Sequence, residues 1–199
     1  QKDQNGSKTE YAYDGADRLA GVTDADGGTY TYVYDGNGNL ATVTDALGNT
    51  TTYTYDAGGR VSTVKNALGG TASYVYDETG NVAKYTDYAG NVTTYVYDDM
   101  DRLTEKNVSG EKTSYTYSKA GLLTKVTDGM GTVSFSYDSY GRLTGKTDAA
   151  GNKLTYTYDK CGRLSSMDNG FGGTKYEYDI MDRVTRVIDR NGQATVYEY

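Results

Sequence analysis

The chain alternates short segments of tyrosine, threonine and valine with tetrapeptides of aspartate, asparagine and glycine. The segments are about five to seven residues long, which suits β-strands and is too short for helices. One kind carries tyrosines at positions i and i+2, so both rings project from one face. The other kind opens with an aliphatic residue. The pattern predicts an all-β fold, an antiparallel meander of β-hairpins.

Tyrosine and aliphatic side chains are expected to pack against each other across neighbouring strands. The predicted packing tyrosines are Tyr32, Tyr34, Tyr53, Tyr55, Tyr74, Tyr76, Tyr95, Tyr97, Tyr115, Tyr117, Tyr156 and Tyr158. The aliphatic strands open with Leu19, Leu40, Val61, Val82, Leu103, Leu123, Leu143, Leu164 and Val184.

The tetrapeptides form two alternating sets of predicted turns. The first set opens at Asp14, Asp35, Asp56, Asp77, Asp98, Ser118, Asp138, Asp159 and Asp179, and closes three residues later at Asp17, Gly38, Gly59, Gly80, Asp101, Gly121, Gly141, Gly162 and Asp182. The second set opens at Asp3, Asp24, Asp45, Asn66, Asp87, Asn107, Asp128, Asp148, Asn169 and Asp189, and closes at Gly6, Gly27, Gly48, Gly69, Gly90, Gly110, Gly131, Gly151, Gly172 and Gly192.

A type I turn explains both ends of these tetrapeptides. Asp, Asn or Ser in the first place accepts hydrogen bonds from the following backbone, and Gly in the fourth place takes positive φ. Asp tolerates the same left-handed conformation, which accounts for Asp17, Asp101 and Asp182. We expect all of the turns in both sets to follow this one rule.

The turn rule also predicts the register of the strands. With three loop residues, Asp35 pairs with Asn39 and Tyr34 lies opposite Leu40. Five units place an arginine in the Asn39 position, across from an aspartate, and we interpret these pairs as solvated charges at the sheet edge. Those arginines are Arg60, Arg102, Arg142, Arg163 and Arg183.

The repeat period is 20 or 21 residues, and an odd period moves the tyrosines to the other face unless one residue is absorbed. We therefore expect a β-bulge near Asn49 and Thr50. Residues 1–199 are predicted to form one array of about nine units, a long sheet that twists and curls. The chain opens within a unit and ends on the bare strand Val196–Tyr199, so neither end is capped and we expect it to be a piece of a longer repeat protein.

Composition makes tyrosine the main packing material. Hydrophobic residues are 36% of the 199 residues, 23 residues are tyrosine, and histidine, proline and tryptophan are absent. The net charge is -7 and lysine and arginine are scattered, which argues against a nucleic-acid partner. No apolar run approaches the ~20 residues of a membrane span, so membrane insertion is not expected. The single Cys161 is interpreted as a tolerated turn residue.

Catalytic chemistry is not predicted. Without histidine, Ser-His-Asp and Cys-His arrangements cannot form, and every unit supplies the same turn aspartates. We expect no enzyme, no cofactor and no metal site. Calcium is the main chemical alternative, because Asp35–Asn39 and Asp24–Gly27 are rich in oxygen, although neither follows the EF-hand loop.

The phrase from Tyr137 to Asn152, YDSYGRLTGKTDAAGN, resembles the repeats of the YD-repeat, or Rhs-repeat, family. The resemblance covers the whole chain. It implies a β-hairpin sheet that spirals into a hollow shell, as in bacterial polymorphic toxins, insecticidal toxin complexes, wall-associated proteins and teneurins. Within these 199 residues we expect neither the proline-containing segment that closes such shells nor a non-repetitive toxin domain, and Ser118 replaces an aspartate.

Three functions are consistent with these observations. The first is a wall segment of a secreted or cell-surface bacterial shell protein, including one that encloses a toxin. The second is an extracellular adhesion module whose tyrosines bind a glycan or a cell-surface protein. The third is a fibre that grows through open end strands. The expected partners are accordingly the rest of a longer repeat chain, other copies of this chain, or a glycan or surface protein.

Overall fold

The computed structural model describes residues 8–199, and in that range the regular elements are nineteen β-strands, without a helix. The strands are β1 (Glu10–Tyr13), β2 (Leu19–Thr23), β3 (Thr29–Tyr34), β4 (Leu40–Thr44), β5 (Thr50–Tyr55), β6 (Val61–Lys65), β7 (Thr71–Tyr76), β8 (Val82–Thr86), β9 (Val92–Tyr97), β10 (Leu103–Val108), β11 (Glu111–Tyr117), β12 (Leu123–Asp128), β13 (Gly131–Tyr137), β14 (Leu143–Thr147), β15 (Lys153–Tyr158), β16 (Leu164–Asp168), β17 (Gly173–Tyr178), β18 (Val184–Ile188) and β19 (Ala194–Val196). A membrane-spanning helix is therefore not found in the described part of the chain.

The strands fall into two compact units, residues 1–96 and residues 97–199. In the first unit each strand from β1 to β9 pairs antiparallel with the next one along the chain. In the second unit the same is true from β10 to β19. The prediction of an all-β antiparallel meander is confirmed. The predicted turn at Asp3 and Gly6 lies outside the described residues.

A hairpin at the first kind of turn has the predicted register. Tyr34 lies opposite Leu40, and the N–H of Asp35 donates to the carbonyl of Asn39 over 2.8 Å. The neighbouring pair is Val33 and Thr42, which leaves Ala41 as an extra residue in β4. The β-bulge therefore lies at Ala41, and the prediction that placed it near Asn49 and Thr50 is wrong.

The same bulge follows the first turn in seven other hairpins. In each of these hairpins the extra residue is alanine, serine or threonine, and it is left without a partner in the ladder. The bulged residues are Ala20, Ala41, Ser62, Ala83, Thr124, Thr144, Ser165 and Thr185. They occur in units of both lengths, so the bulge keeps the tyrosines on one face throughout each compact unit.

The one-residue difference between the repeat units arises instead at the second kind of turn. In the longer units Thr44 pairs with Thr50, the N–H of Asp45 donates to the carbonyl of Asn49, and the loop between Asp45 and Asn49 is residues 46–48. In a shorter unit Val108 pairs with Glu111, and the loop is Ser109 and Gly110, both with positive φ. That geometry is a type I′ turn, which needs one residue fewer.

The prediction that one rule governs every turn is therefore wrong at three places. The Asn107 turn is the type I′ turn just described. In the second exception, Asp128 pairs directly with Gly131. In the third, the loop that contains Asn169 connects the paired residues Asp168 and Gly173. The closing glycines of these three turns have φ values of 102°, 131° and 121°, whereas those of the six regular second turns lie between 81° and 87°.

No hydrophobic core forms among residues 8–199. Only Ala72 and Thr93, which are 1% and 9% exposed, are buried. The tyrosine face is half-buried, as in β3, where Tyr30, Tyr32 and Tyr34 alternate with the exposed Thr29, Thr31 and Val33. Within each unit the sheet is a single layer, and side chains pack along its face instead of between layers.

Candidate functional site

The first kind of turn is held together by its own aspartate. In the turn that opens at Asp35, Oδ1 accepts hydrogen bonds from the N–H groups of Asn37 and Asn39, at 2.9 and 2.8 Å. The N–H of Gly38 donates to the carbonyl of Asp35, and Gly38 has a φ of +89°. A β-carbon adds strain in that conformation, which is why glycine or aspartate closes the turn.

The same pair of bonds to Oδ1 occurs at every aspartate of the first set, which are Asp14, Asp35, Asp56, Asp77, Asp98, Asp138, Asp159 and Asp179. Their turns close at Asp17, Gly38, Gly59, Gly80, Asp101, Gly141, Gly162 and Asp182, all with positive φ. The left-handed conformation predicted for the three closing aspartates is confirmed. At Ser118 the hydroxyl oxygen replaces the carboxylate and accepts from the N–H of Leu122 at 3.2 Å.

These bonds lower the pKa of the turn aspartates. The backbone N–H of Arg18 and then its guanidinium lower the pKa of Asp14. At Asp98 the guanidinium of Arg102 is the larger cause of the lowered pKa. At Asp35, where no arginine follows, the side-chain amide of Asn39 lowers the pKa first, with the backbone N–H of Asn39 next. The carboxylates are therefore ionised and engaged by their own turns.

Six units place an arginine four residues after the turn aspartate. In the first of them Nε of Arg18 donates to Oδ2 of Asp14 at 2.8 Å, and Nη2 lies 2.8 Å from the same oxygen. The arginine side chains are 23% to 44% exposed. The six arginines are Arg18, Arg60, Arg102, Arg142, Arg163 and Arg183.

Each of these guanidinium groups lies over the second tyrosine of the following unit. Cζ of Arg18 is 4.4 Å from the ring centre of Tyr34, a distance typical of a cation–π contact. The other pairs are Arg60 with Tyr76, Arg102 with Tyr117, Arg142 with Tyr158, Arg163 with Tyr178 and Arg183 with Tyr199, at 4.4 to 4.7 Å. The interpretation of five of these arginines as solvated edge charges was incomplete, because each guanidinium also lies between a carboxylate and a tyrosine ring while its side chain stays partly exposed.

The same tyrosine bonds to the backbone of the preceding unit. The hydroxyl of Tyr34 donates to the carbonyl of Leu19 at 2.9 Å. The ladder between β2 and β3 begins at Gly21 and Thr31, so Leu19 lies beyond it, on the far side of the bulged Ala20. The hydroxyl therefore takes the place of a backbone donor that the bulge moves out of reach.

This bond recurs along the chain with little change in length. The further pairs are Tyr55 with Leu40, Tyr76 with Val61, Tyr117 with Leu103, Tyr137 with Leu123, Tyr158 with Leu143, Tyr178 with Leu164 and Tyr199 with Val184, at 2.8 to 3.0 Å. We call the turn aspartate, its arginine, the tyrosine of the next unit and the carbonyl that this tyrosine bonds the repeat joint.

The predicted packing residues line this face without being fully buried. The second tyrosines Tyr34, Tyr55, Tyr76, Tyr97, Tyr117 and Tyr158, the first tyrosines Tyr32, Tyr53, Tyr74, Tyr95, Tyr115 and Tyr156, and the leucines Leu40, Leu103, Leu143 and Leu164 are all half-buried. Most first tyrosines lie opposite an apolar residue, as Tyr32 does to Val43. Tyr74 instead lies opposite Tyr85, and the two ring centres are 5.0 Å apart.

The aspartates of the regular second turns use their oxygens in the same way. Oδ1 of Asp45 accepts from the N–H groups of Leu47 and Asn49, and Oδ2 accepts from the side-chain amide of Asn49 at 2.8 Å. The glycines Gly27, Gly48, Gly69, Gly90, Gly151 and Gly192 close these turns, whereas Gly110, Gly131 and Gly172 belong to the three exceptions described above.

Oxygen-rich turns do not converge on a common point. In the two stretches considered for calcium, Oδ1 of Asp35 and Oδ1 of Asp24 each accept two backbone N–H groups of their own turn. In residues 8–199 no three or more acidic or cysteine side chains come together as a metal would require. The contacts of the repeat joint hold one repeat unit to the next.

Sequence reasoning missed the repeat joint. It omitted Arg18, and it treated the arginines as partners of aspartate alone. A signal was present in the spacing, because the arginine follows the turn aspartate by four residues and the tyrosine follows that arginine by 15 or 16 residues in all six units.

The comparisons with known proteins agree with this geometry. The Teneurin YD-shell family model matches residues 46–175, and the RHS Repeat model matches residues 1–29. A search of curated proteins found no match.

Solved structures of toxin assemblies share the fold. A crystal structure of TcdB2-TccC3 superposes with a TM-score of 0.58 at 17% identity, covering 91% of this chain and 13% of that chain. The Photorhabdus luminescens Tc holotoxin pore with a TccC3 mutation gives 0.57 at 16% identity, covering 95% of this chain and 14% of that chain. The chain thus spans about one-seventh of the length of these proteins. Because the Teneurin YD-shell match extends over more than half of the sequence, the chain belongs to the YD-shell family of repeat proteins.

Proposed function

We propose that this chain is a non-enzymatic wall segment of a secreted or cell-surface bacterial shell protein that encloses a polypeptide, such as a toxin. The repeat joint is the observation that supports it best. Its aspartate, arginine and tyrosine side chains connect successive units, and in the described part of the chain the single-layer sheet of each unit has no core that would close it into a globule. A wall needs this combination, because it must be thin and extensible.

Covered tyrosines argue for the wall over the adhesion module. A glycan-binding platform needs free ring faces, and in six units one face of the second tyrosine is occupied by an arginine. The partner proposed for the wall is further repeat sequence, in the same chain or in another copy, which pairs with its outer strands.

Small-angle scattering of the purified chain tests the wall architecture. A compact protein of this length has a radius of gyration of about 16 Å, and an extended wall segment must exceed that value clearly. A radius near 16 Å, or a measurable hydrolase activity that is lost on substitution of one aspartate, contradicts the proposal.

Limited proteolysis of the protein in its full natural length tests enclosure. We expect any non-repeat segment to resist protease until the wall is opened by replacing Gly48 and Gly69 with valine, since both glycines have positive φ. Equal cleavage with and without those substitutions would show that the wall encloses nothing.

A further inference from the structure

One hairpin of the first compact unit places two tyrosines against each other across neighbouring strands. Tyr74 of β7 lies directly opposite Tyr85 of β8. Their ring centres are 5.0 Å apart and their planes are tilted by 38°, which is within the range of aromatic contacts. We call Tyr74 and Tyr85 the tyrosine pair.

The repeat pattern does not account for Tyr85. Valine lies opposite the first tyrosine in five other hairpins, at Val22, Val43, Val64, Val126 and Val187. Met167 and Lys146 occupy the position in two more. Valine is therefore sufficient for the fold at this place, as Val43 is beside Tyr32. The second phenol adds a chemical group that the sheet does not require.

The surroundings of the tyrosine pair are the most closely covered in the described chain. Ala72, which is 1% exposed, precedes Tyr74 by two residues and so lies on the same face of β7. Thr93, which is 9% exposed, lies opposite Tyr85 on the next strand. Both rings are half-buried between these neighbours. Packing thus holds the two rings together.

The hydroxyl groups of the tyrosine pair make no hydrogen bond within residues 8–199. In contrast, the hydroxyl of Tyr76 on the same strand donates to the carbonyl of Val61. Burial raises the pKa of Tyr74, and Tyr85 is the next cause. Tyr74 is therefore a neutral phenol at neutral pH, and its proton must leave when the ring loses an electron. No bond within the described residues holds that proton.

We propose that Tyr74 and Tyr85 are an oxidative cross-linking site that forms an intrachain dityrosine. Each phenol loses one electron and its hydroxyl proton, which gives two tyrosyl radicals. The radicals join by a carbon–carbon bond between the ring positions ortho to the oxygens, and the hydrogen on each of these carbons then moves to its own oxygen. The oxidant is hydrogen peroxide acting through a haem peroxidase. One peroxide takes up the two electrons and two protons and becomes two water molecules.

The sheet favours this coupling over coupling between molecules. Adjacent strands hold both rings, so the two radicals meet at a high effective concentration. Tyr140, which is 83% exposed, represents the tyrosines that couple by collision with another molecule. The bond would link β7 to β8 and enclose residues 75–84. This chemistry does not depend on whether the chain is a shell wall.

Oxidation of the whole chain with a haem peroxidase and hydrogen peroxide tests the proposal. The monomer is isolated, digested with trypsin and analysed by mass spectrometry. Trypsin cleaves after Lys65, Lys84 and Arg102, so the two tyrosines fall in the separate peptides 66–84 and 85–102. We expect these peptides to be joined, with two hydrogen atoms fewer than their sum. Fragment ions should place the bond at Tyr74 and Tyr85.

The yield in the monomer should not change with protein concentration, because the coupling is intramolecular. If the monomer lacks the joined peptides under conditions that couple free N-acetyltyrosine, the proposal is overturned. The same conclusion holds if dityrosine forms only in dimers and larger species.

Matched variants identify the partner of Tyr74. Tyr85→Val introduces the residue found at the equivalent position of five hairpins, so the hairpin should remain while dityrosine in the monomer falls about tenfold or more. Tyr88→Phe is the control, because Tyr88 lies in the same tryptic peptide and is 48% exposed. It should leave the yield unchanged. Loss of the cross-link in Tyr88→Phe, with the cross-link kept in Tyr85→Val, would assign the wrong partner to Tyr74.

A converse variant tests the geometry without removing a side chain of the pair. Val64→Tyr places a second ring opposite Tyr53, as Tyr85 lies opposite Tyr74. Oxidation of this variant should add a second cross-link, between the tryptic peptides 19–60 and 61–65. If Val64→Tyr gives no such product, the cross-strand position does not direct the coupling and the proposal fails.

Discussion

The second tyrosine of each pair makes two different contacts through two different parts of its side chain. The hydroxyl of Tyr55 reaches the carbonyl of Leu40, and burial raises the pKa of that phenol, with the Asp35 carboxylate as the next cause. The first tyrosine, Tyr53, packs against Val64 and its hydroxyl makes no hydrogen bond in the described structure. The two tyrosines of one strand are therefore not equivalent.

Removing the hydroxyl of Tyr55 should cost stability, whereas removing that of Tyr53 should not. In Tyr55→Phe the carbonyl of Leu40 loses its donor, and we expect a loss of about 1 kcal/mol. For a chain of this length that lowers the melting temperature by about 2–4 °C. Thermal unfolding of Tyr55→Phe and Tyr53→Phe checks the difference, and equal melting temperatures would contradict the role given to the hydroxyl.

Acid should destabilise the protein. The turn aspartates have pKa values lowered by their hydrogen bonds, as at Asp56, where the N–H of Arg60 and then its guanidinium are the causes. A lowered folded pKa stabilises the protein above the ordinary value of about 4 and loses that contribution as the pH falls through the folded pKa. Since histidine is absent, stability should vary little between about pH 5.5 and 7.

Melting temperatures measured from pH 7 down to pH 2.5 check this dependence. Asp56→Asn should flatten part of the acid slope, because the amide still accepts from the turn but no longer titrates. Asp99→Asn, at an exposed turn tip, is the control and should leave the slope unchanged. A stability that rises on acidification would refute the assignment.

Among the turns and strands, the arginine of the repeat joint couples neighbouring hairpins. The N–H of Nη1 in Arg163 donates to the carbonyl of Asp179, at the start of the next first turn, over 2.8 Å, and Nη1 of Arg18 would lie 3.5 Å from a β-carbon on Gly38. Three units have Asn39, Asn81 and Leu122 in the arginine position. Nδ2 of Asn39 bonds Oδ2 of Asp35, so asparagine preserves the turn without covering the ring.

Arg60→Asn should separate these two effects. The turn at Asp56 should remain, while Tyr76 loses the cation over its ring, and we expect the melting temperature to fall by about 1–3 °C. Arg186→Gln is the control, because Arg186 pairs only with Glu177 at 3.4 Å and covers no ring. The converse change, Asn39→Arg, should raise the melting temperature. If the two arginine variants are equally stable, the ring contact contributes nothing.

The cost of a side chain at a position with positive φ can be separated from the cost of its size by comparing two neighbouring turns. Gly48 and Gly36 both have open space where a β-carbon would lie, but only Gly48 has positive φ, at +84°. Gly48→Val should therefore destabilise by about 2 kcal/mol and Gly36→Val by much less. Hydrogen exchange should locate the Gly48→Val effect in β4 and β5 and their neighbours, and protection lost evenly along the chain would argue against local coupling.

Sequence alone was sufficient for the regular turns and for the local register of the first hairpins, because both follow from single-residue chemistry; it did not separate the three exceptional turns at Asn107, Asp128 and Asn169 from the rest. The left-handed Asp17 and the pairing of Tyr34 with Leu40 required only the turn rule. The position of the bulge could not be predicted, since a count of residues shows that one is extra but not which one. The contact of Arg18 with Tyr34 was missed because it joins two hairpins whose turns meet at one edge of the sheet.

At the scale of the whole molecule, the lack of a core among residues 8–199 decides the energetics. The accessible surface is 13389 Å², against about 9200 Å² for a compact protein of this mass. Backbone ladders and half-buried tyrosines supply the stability that a core supplies elsewhere. The family assignment rests on a sequence match over residues 46–175, and the likeness to the TcdB2-TccC3 structure shows the fold.

Calorimetry should reveal this thin architecture. Little apolar surface becomes newly exposed on unfolding, so we expect a heat-capacity change per residue below the about 12–15 cal/mol/K of globular proteins. A value within that range would mean that apolar surface is covered, for example by association of copies. Repeating the scan at several protein concentrations distinguishes that case, since association makes the melting temperature depend on concentration.

The repeat joint has a direction along the chain, because an arginine of one hairpin contacts a tyrosine ring that lies 15 or 16 residues later in the sequence. A hairpin leaving the ribosome is thus incomplete until its successor emerges. Synthesis from the amino terminus would then build the sheet hairpin by hairpin. Each new tyrosine would bond to the backbone carbonyl of the unit made just before it.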